Sequence, residues 1–302
     1  MVDQVVECVP NFSEGRRSDV IQSICDQVTS VQDVYLINRH SDKDHNRTVL
    51  TFFGTCRSVS EAAFNAIKEA ANLIDMNQHT GEHPRIGSTD VVPFIPIKNV
   101  DMQVCINLAR ELGRRVANEL GIPVYLYEEA AIRPERRNLE TIRKGQFEGL
   151  RREISENPDR EPDYGPKVIG SAGATVIGAR YPLIAFNVFL NSSEVDTAHH
   201  IARVIRHSTG GLRFVKAMGM FVEGRAQVSM NLTNYKRTSI ARVVEMVRSE
   251  AGRLGTSIHH CELVGMIPQD ALIDAGLWYL QLNDFNPDQI LEKKLSDLHP
   301  KS

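Results

Sequence analysis

The sequence predicts an α/β (α+β) fold made of two ferredoxin-like βαββαβ subdomains, packed together with a groove between them. Three observations carry that expectation. The order strand, helix, strand, strand, helix, strand occurs twice, over residues 5–97 and again over 182–268. The helical segments repeat apolar residues at the 3.6-residue period, while the strand segments are short β-branched runs. The two copies also differ at one place, the loop before the last strand, which is long only in the first. A boundary near residue 180 gives subdomains of 1–180 and 181–302.

In the first copy, "VVECV" (5–9) is a short β-branched strand. "RSDVIQSICDQV" (17–28) sets Val20, Ile21, Ile24 and Val28 on one helical face, with Ser18 as the candidate N-cap. "VYLIN" (34–38) and "RTVLTFFG" (47–54) read as strands around the polar turn "RHSDKDHN". "SVSEAAFNAIKEAANLI" (58–74) is an amphipathic helix capped by Ser58 or Ser60, and "VVPFIPI" (91–97) is a buried strand. A long helix over 99–121 and a strand "IPVYLY" (122–127) follow.

The second copy repeats this order. "PLIAFNVFL" (182–190) is a strand, and Ser193 opens a helix over 193–207. Residues 213–222 and 226–234 form a hairpin around "EGR", 239–254 a helix, and 257–268 the last strand. Between its last helix and strand only a few residues intervene. The matching connection in the first copy, from Ile74 to Val91, contains "HTGEHPRIGSTD". A long ordered loop in a compact domain is more often functional than idle.

Composition removes several classes of function. A net charge of −3 supplies no broad attraction for nucleic acid. The longest apolar run is too short to span a bilayer, and the opening residues do not read as a signal segment. Five scattered cysteines without CxxC spacing argue against a disulfide framework or a cysteine zinc site. A cytoplasmic protein is expected.

Within the long loop, His79 and His83 stand four apart, but Gly81 and Pro84 spoil the helix on which that spacing would bind a metal. Two readings stay level on spacing: hydrogen-bonded loop histidines, or one histidine doing proton chemistry. Glu82 and Arg85 could orient such a ring and hold an anionic substrate. "NFSEGRR" (11–17) reads either as an anion-accepting helix start or as an N-capping turn. Glycines at 165, 170, 173 and 178 lack the Rossmann spacing; they mark a close ligand approach or an interdomain crossover. His199–His200 and His259–His260 read as structural, since adjacent residues point apart. Arg133, Arg136, Arg137, Arg143 and Lys144 alternate with Glu135, Glu140 and Glu148 and read as a solvated face.

Taken together, "VVECVPNFSEG", "DHNRTVLTFFG", "IDMNQHTGEHPRIGSTDVVPFIPI", "ELGIPVYLYEEAA", "IRKGQFEGL" and "DYGP…AGATVIGAR" resemble glutamate formiminotransferase, as do "AFNV", "QVSMNLTNY" and "ELVGMIP". The resemblance runs in order over the whole chain. It implies two ferredoxin-like subdomains, folate bound between them, and a homodimer. It implies transfer of a formimino group from N-formimino-L-glutamate to tetrahydrofolate, a co-substrate, in histidine breakdown, with no metal. It carries catalysis onto His83. It carries folate binding onto Gly165, Pro166, Lys167, Val168, Ile169, Gly170, Ser171, Ala172, Gly173 and Ala174. Asn38-Arg39-His40 and Ile169-Gly170 depart from the family's usual residues.

The chemistry requires one group to move a proton from the attacking folate amine to the departing glutamate nitrogen, and a neutral imidazole suits that task. Arg47, Arg85 and Arg180 are the expected holders of the substrate carboxylates. The alternatives are transfer of a formyl group between 5-formyltetrahydrofolate and glutamate, or a folate-binding protein with altered catalysis.

Overall fold

A computed structural model describes residues 4–298 and divides into two units, residues 1–181 and 182–302. In the first unit the opening strand is broken in two, β1 (Val5–Cys8) and β2 (Asn11–Phe12). Then come α1 (Ser18–Thr29), β3 (Val34–Asp42), β4 (Arg47–Gly54), α2 (Cys56–Leu73) and β5 (Thr89–Lys98). The broken first strand lies between β4 and β5, with β3 outside β4 and every pair antiparallel. The sheet continues beyond β5 through parallel partners: β7 (Thr175–Ala179) beside β5, then β6 (Val124–Glu128) beside β7. Strand β7 has no counterpart in the sequence reading. Its five residues sit in a glycine-rich stretch that reads as loop, yet all are buried between β5 and the edge strand β6.

Strand periodicity explains how the sheet is covered. Val6, Cys8, Leu50, Phe52 and Phe94 are fully buried. Glu7 and Phe53, neighbours of these in sequence and partners across the ladder, belong to the opposite face. The helices α1, α2 and α3 (Met102–Leu120) bring Ile24, Val28, Ala66, Ala70, Leu112 and Val116 into the same core. Capping follows local chemistry. Thr55, rather than a downstream serine, caps α2 by accepting from Ser58 N, and Asp101 caps α3 by accepting from Val104 N. Gly121 then ends α3 with φ +65°.

Residues 134–160 are not a solvated face throughout. Short helices α4 (Leu139–Arg143) and α5 (Gln146–Glu153) send Ile142, Phe147 and Leu150 into the core. Arg136 is 3% exposed and lies 2.7 Å from an Asp163 carboxylate that is 4% exposed. Asp163 also accepts from Leu126 N at 2.7 Å, so the pair ties this segment to β6. Charge alternation alone cannot distinguish a solvated arginine from one drawn inward by a buried carboxylate.

The second unit follows the sequence reading more closely. Its elements are β8 (Ile184–Leu190), α6 (Val195–Ile205), β9 (Val215–Val222), β10 (Arg225–Leu232), α7 (Ile240–Arg253) and β11 (Ile258–Val264). The sheet order β11-β8-β10-β9 is antiparallel throughout. The hairpin turns on Glu223 and Gly224, both at positive φ as a two-residue turn of this hand requires. Ile184, Val188, Ile201, Ile205, Val228 and Val247 form its core. Helices α8 (Gln269–Leu280) and α9 (Leu291–Leu298) follow β11. A register irregularity between Ile258 and His260 breaks the alternation there. As a result the His259 and His260 Nδ1 atoms meet at 2.7 Å instead of pointing apart. Among the described residues no helix is long and apolar enough to cross a membrane.

Candidate active site

Four loop segments of the first unit are joined into one cluster. They are residues 11–17, the turn 42–47, the loop 75–90 and the glycine-rich stretch 165–174. Asn46 ties three of them. Its side chain accepts from Gly15 N at 2.9 Å and donates to the Thr80 carbonyl at 2.8 Å, and its own carbonyl accepts from His79 Nε2 at 3.2 Å. Asn46 holds φ +48°, a conformation asparagine tolerates better than most residues. Gly81 lies so close to this turn that a Cβ would stand 2.6 Å from the His45 carbonyl oxygen. The glycine is there for contact with protein.

The segment "NFSEGRR" is a turn closed on its own glutamate, and Arg17, the N-cap of α1, makes no side-chain cap hydrogen bond. The Glu14 carboxylate, 3% exposed, accepts from Arg16 N and Arg17 N at 2.9 Å and from Arg17 Nε at 2.5 Å. Those amides therefore face an internal anion already, and Ser18 is the first helical residue rather than the cap.

His79 and His83 have different surroundings. Arg85 Nε, which can only donate, reaches His79 Nδ1 at 3.2 Å, so the His79 proton sits on Nε2 and points to the Asn46 carbonyl. Burial, aided by Arg85, holds this imidazole below its ordinary pKa. His79 is a structural histidine in the neutral form. The His83 ring forms no hydrogen bond with the described residues. Its neighbours are the His45 ring, edge to face at 6.5 Å between centroids, and the Arg47 and Arg143 guanidiniums. Burial first, then those two cations, push His83 down to about 3. Its imidazole is thus neutral, and while Arg47 and Arg143 stay uncompensated these surroundings oppose its protonation. Pro84 restricts the backbone of the residue before it, which fixes where the ring projects.

Arg85 is turned into the protein. It is 6% exposed, and its guanidinium forks onto Glu148 at 2.7 and 3.0 Å while also donating to Gln146 at 2.9 Å. These contacts, with the bond from Phe147 N to the Arg85 carbonyl, dock α5 against the loop. Arg180 is also elsewhere. Its amide bonds the Phe94 carbonyl, four residues along β5 from Asp90, which is roughly 13 Å at the rise of a strand. It acts electrostatically on Glu7 and, as Arg143 also does, on Tyr127, but is not among the charges acting most strongly on His83. Glu82 is exposed beside His83, and its amide meets the Asp44 carbonyl.

Arg47 alone of the three expected arginines stands at His83, and the structure adds Arg143. Asp90, 2% exposed, accepts from Ile86 N with one oxygen and holds an Arg143 Nη with the other. The Nε atoms of Arg47 and Arg143 are buried without a partner. Burial, and secondly the Arg143 charge, draw Arg47 below its ordinary pKa. Two neighbouring guanidiniums, each only partly exposed, are cations of the kind that bind carboxylates. In the sequence Arg143 is one arginine among several in an alternating run. Only its position at the end of α4, beside a buried aspartate, distinguishes it.

The glycine-rich stretch is bonded to the His83 loop. Ser88 N donates to the Ala172 carbonyl at 2.8 Å, and Ala174 N donates to the Ile86 carbonyl at 2.9 Å. Gly173, at φ +75°, would place a Cβ 2.4 Å from Ile86 O and 2.6 Å from Gly87 Cα. Its missing side chain therefore serves contact with protein backbone, not approach to a flat ligand. Ile169 is buried in the core, whereas Gly165 to Val168, Gly170 and Ser171 are exposed, and a Cβ at Gly170 would meet open space. The stretch thus presents backbone and the 67% exposed Val168 side chain on a base anchored next to His83.

Among the described residues no three His, Cys, Asp or Glu side chains converge as metal ligands. Activity is expected to survive exhaustive chelation, and elemental analysis of the purified protein is expected to find no stoichiometric metal. Stoichiometric zinc whose removal abolishes turnover would contradict this.

Comparison with known proteins shows the family. The chain matches the formiminotransferase domain, N-terminal subdomain, over residues 5–180 and the formiminotransferase domain over 185–294. It is 50% identical to a glutamate formimidoyltransferase of Thermoplasma acidophilum, over 96% of this chain and 97% of that one. It is 47% identical to a glutamate formimidoyltransferase of Streptococcus pyogenes serotype M1, over 97% and 99% of the two chains. A formimidoyltransferase-cyclodeaminase of Mus musculus is 42% identical, matching 92% of this chain but 53% of its own length. With both matched regions in order and relatives similar from end to end, the chain belongs to the formiminotransferase family.

Proposed function

We propose that the protein is a glutamate formimidoyltransferase, moving a formimino group from N-formimino-L-glutamate to tetrahydrofolate. The observation that carries this reading is a neutral, unbonded imidazole, His83, flanked by two guanidiniums whose Nε donors are unpartnered. That combination suits an anionic donor whose reaction requires a proton to be moved. The donor's carboxylates bind Arg47 and Arg143, with Asp90 setting the Arg143 guanidinium in place. The exposed part of Gly165–Ala174 supports the folate, through backbone at Gly165, Gly170 and Ser171 and apolar contact at Val168. His83 takes the proton released when the folate nitrogen bonds to the formimino carbon. The same assignment fits formyl transfer from 5-formyltetrahydrofolate to glutamate, because both reactions need carboxylate cations and a proton acceptor.

Binding and basicity are coupled in this arrangement. The guanidiniums that hold His83 low are those the substrate carboxylates would neutralise, so donor binding raises the basicity of the ring where it is needed. Arg143→Gln is expected to raise the KM for formiminoglutamate by about 10-fold or more, the worth of one charge-assisted contact. It is also expected to move the His83 imidazole titration, followed by NMR in the free protein, upward toward its ordinary value. An unchanged KM together with an unmoved titration would remove Arg143 from the site.

A further inference from the structure

The turn 42–47 holds a second histidine that the reading above leaves unused. His45 faces His83 edge to face, 6.5 Å between ring centroids. Its Nδ1 lies 2.8 Å from Asp42 Oδ2, while Asp42 Oδ1 accepts the backbone amides of Asp44 and His45 at 2.9 Å. Hydrogen bonds from His45, backbone first and ring second, hold the Asp42 carboxyl below its ordinary range. The carboxylate is therefore ionised and fixed by its own turn. An imidazole whose Nδ1–H is oriented by a carboxylate presents Nε2 in a set direction. The turn is itself pinned, because Arg16 Nε donates to the Lys43 carbonyl at 2.9 Å and Asn46 bonds Gly15 and Thr80. The His45 side chain stays 42% exposed, so Nε2 can be reached.

The two rings differ in surroundings. His83 has burial and two cations around it, which favour its neutral form until substrate carboxylates compensate those cations. His45 has a carboxylate partner and solvent. Paired groups with opposed surroundings are how a site divides acid and base work.

We propose that His45, oriented by Asp42, is the general acid of the transfer, protonating the departing glutamate nitrogen while His83 acts only as the base. The inference rests on the formimino transfer reading above. The folate N5 nitrogen forms its bond to the formimino carbon, and His83 takes the N5 proton. The bond from that carbon to the glutamate nitrogen then breaks, its electron pair staying on nitrogen. His45 supplies the Nε2 proton that completes the amine, while its Nδ1 stays on Asp42. His83 finishes with one proton more and His45 with one fewer, and solvent exchange restores both. No oxidant or metal enters the balance.

The test compares leaving groups in wild type and His45→Gln, with Asp42→Asn as a second, milder variant. Two donors are used, N-formimino-L-glutamate and N-formimino-4,4-difluoro-L-glutamate, whose less basic nitrogen departs with less help from an acid. His45→Gln is expected to lower kcat on the natural donor by roughly 10²-fold, within the usual worth of one acid–base group, with KM changed little. On the difluoro donor the loss is expected to be several-fold smaller. Asp42→Asn should follow the same pattern at lower amplitude, with melting temperatures confirming that both variants fold. An equal loss on both donors would make His45 a structural residue, and wild-type rates in both variants would remove the pair from the reaction. Either result overturns the proposal while wild type still turns over. A wild-type protein inactive with both donors would instead overturn the formimino transfer reading, and the acid role with it.

Discussion

His83→Ala is expected to slow turnover by roughly 10²–10⁴-fold while folding and folate affinity stay close to wild type. The size follows from the role, since removing one proton-transfer group commonly costs that much. Fold preservation follows from the surroundings. The His83 ring is only partly buried and donates to and accepts from nothing among the described residues, so alanine leaves no buried partner orphaned. His79 four residues earlier provides the contrast. It is bonded at both ring nitrogens, to Arg85 and to the Asn46 carbonyl, so His79→Ala should disturb the loop. Steady-state kinetics, circular dichroism and folate titration on His83→Ala decide the matter. Near-wild-type turnover in a folded variant would remove His83 from the chemistry.

Gly173→Val should have the largest structural effect of any change in the folate stretch. A residue with a Cβ pays about 1–2 kcal/mol to hold the left-handed conformation that Gly173 adopts, and a β-branched one at least that. The new side chain must also displace the Ile86 carbonyl and the Gly87 backbone, an overpacking cost of about 1–3 kcal/mol. A total near 3 kcal/mol, at roughly 2–4 °C per kcal/mol for a domain of this size, lowers the melting temperature by about 6–12 °C. Folate affinity should fall with it, because the displaced backbone joins Ser88 and Ala174 to the His83 loop. Gly170→Ala, a Cβ pointing into open space at an unstrained φ, is expected to melt like wild type, and Ile169→Val to lose only about 0.5–1.5 kcal/mol. Thermal denaturation and calorimetry with folinate separate the three. A Gly173→Val protein with unchanged melting temperature and affinity would mean that the two loops do not depend on each other.

Much of this architecture is legible in the sequence because period and turn chemistry agree. The segment "RTVLTFFG" is strand β4 to the residue, and the tandem βαββαβ order holds in both units. The loop itself is legible too, because one copy has it and the other lacks it, whereas His83 is singled out from His79 only by the family resemblance. What escapes is decided by tertiary contact. Strand β7 is hidden among glycines, because a five-residue run buried on both faces carries no alternation. Arg85 and Arg47 look alike as candidate carboxylate holders, yet Glu148 takes Arg85 inward while Arg47 stands beside His83. Arg143 looks like surface charge until Asp90, from a distant strand, holds it. The Asp42–His45 contact lies within three residues, but the spacing alone does not reveal that the turn points at His83.

The central claim is that this site transfers a formimino group to folate, and the direct measurement is an assay of the purified protein on defined substrate pairs. One arm contains tetrahydrofolate and N-formimino-L-glutamate, the other 5-formyltetrahydrofolate and L-glutamate, with His83→Ala run beside wild type in both. The predicted result is 5-formiminotetrahydrofolate and free glutamate from the first pair, faster than any exchange in the second, with both lost in His83→Ala. A folded wild-type protein that produces no glutamate from the first pair, or does so as well without His83, would contradict it.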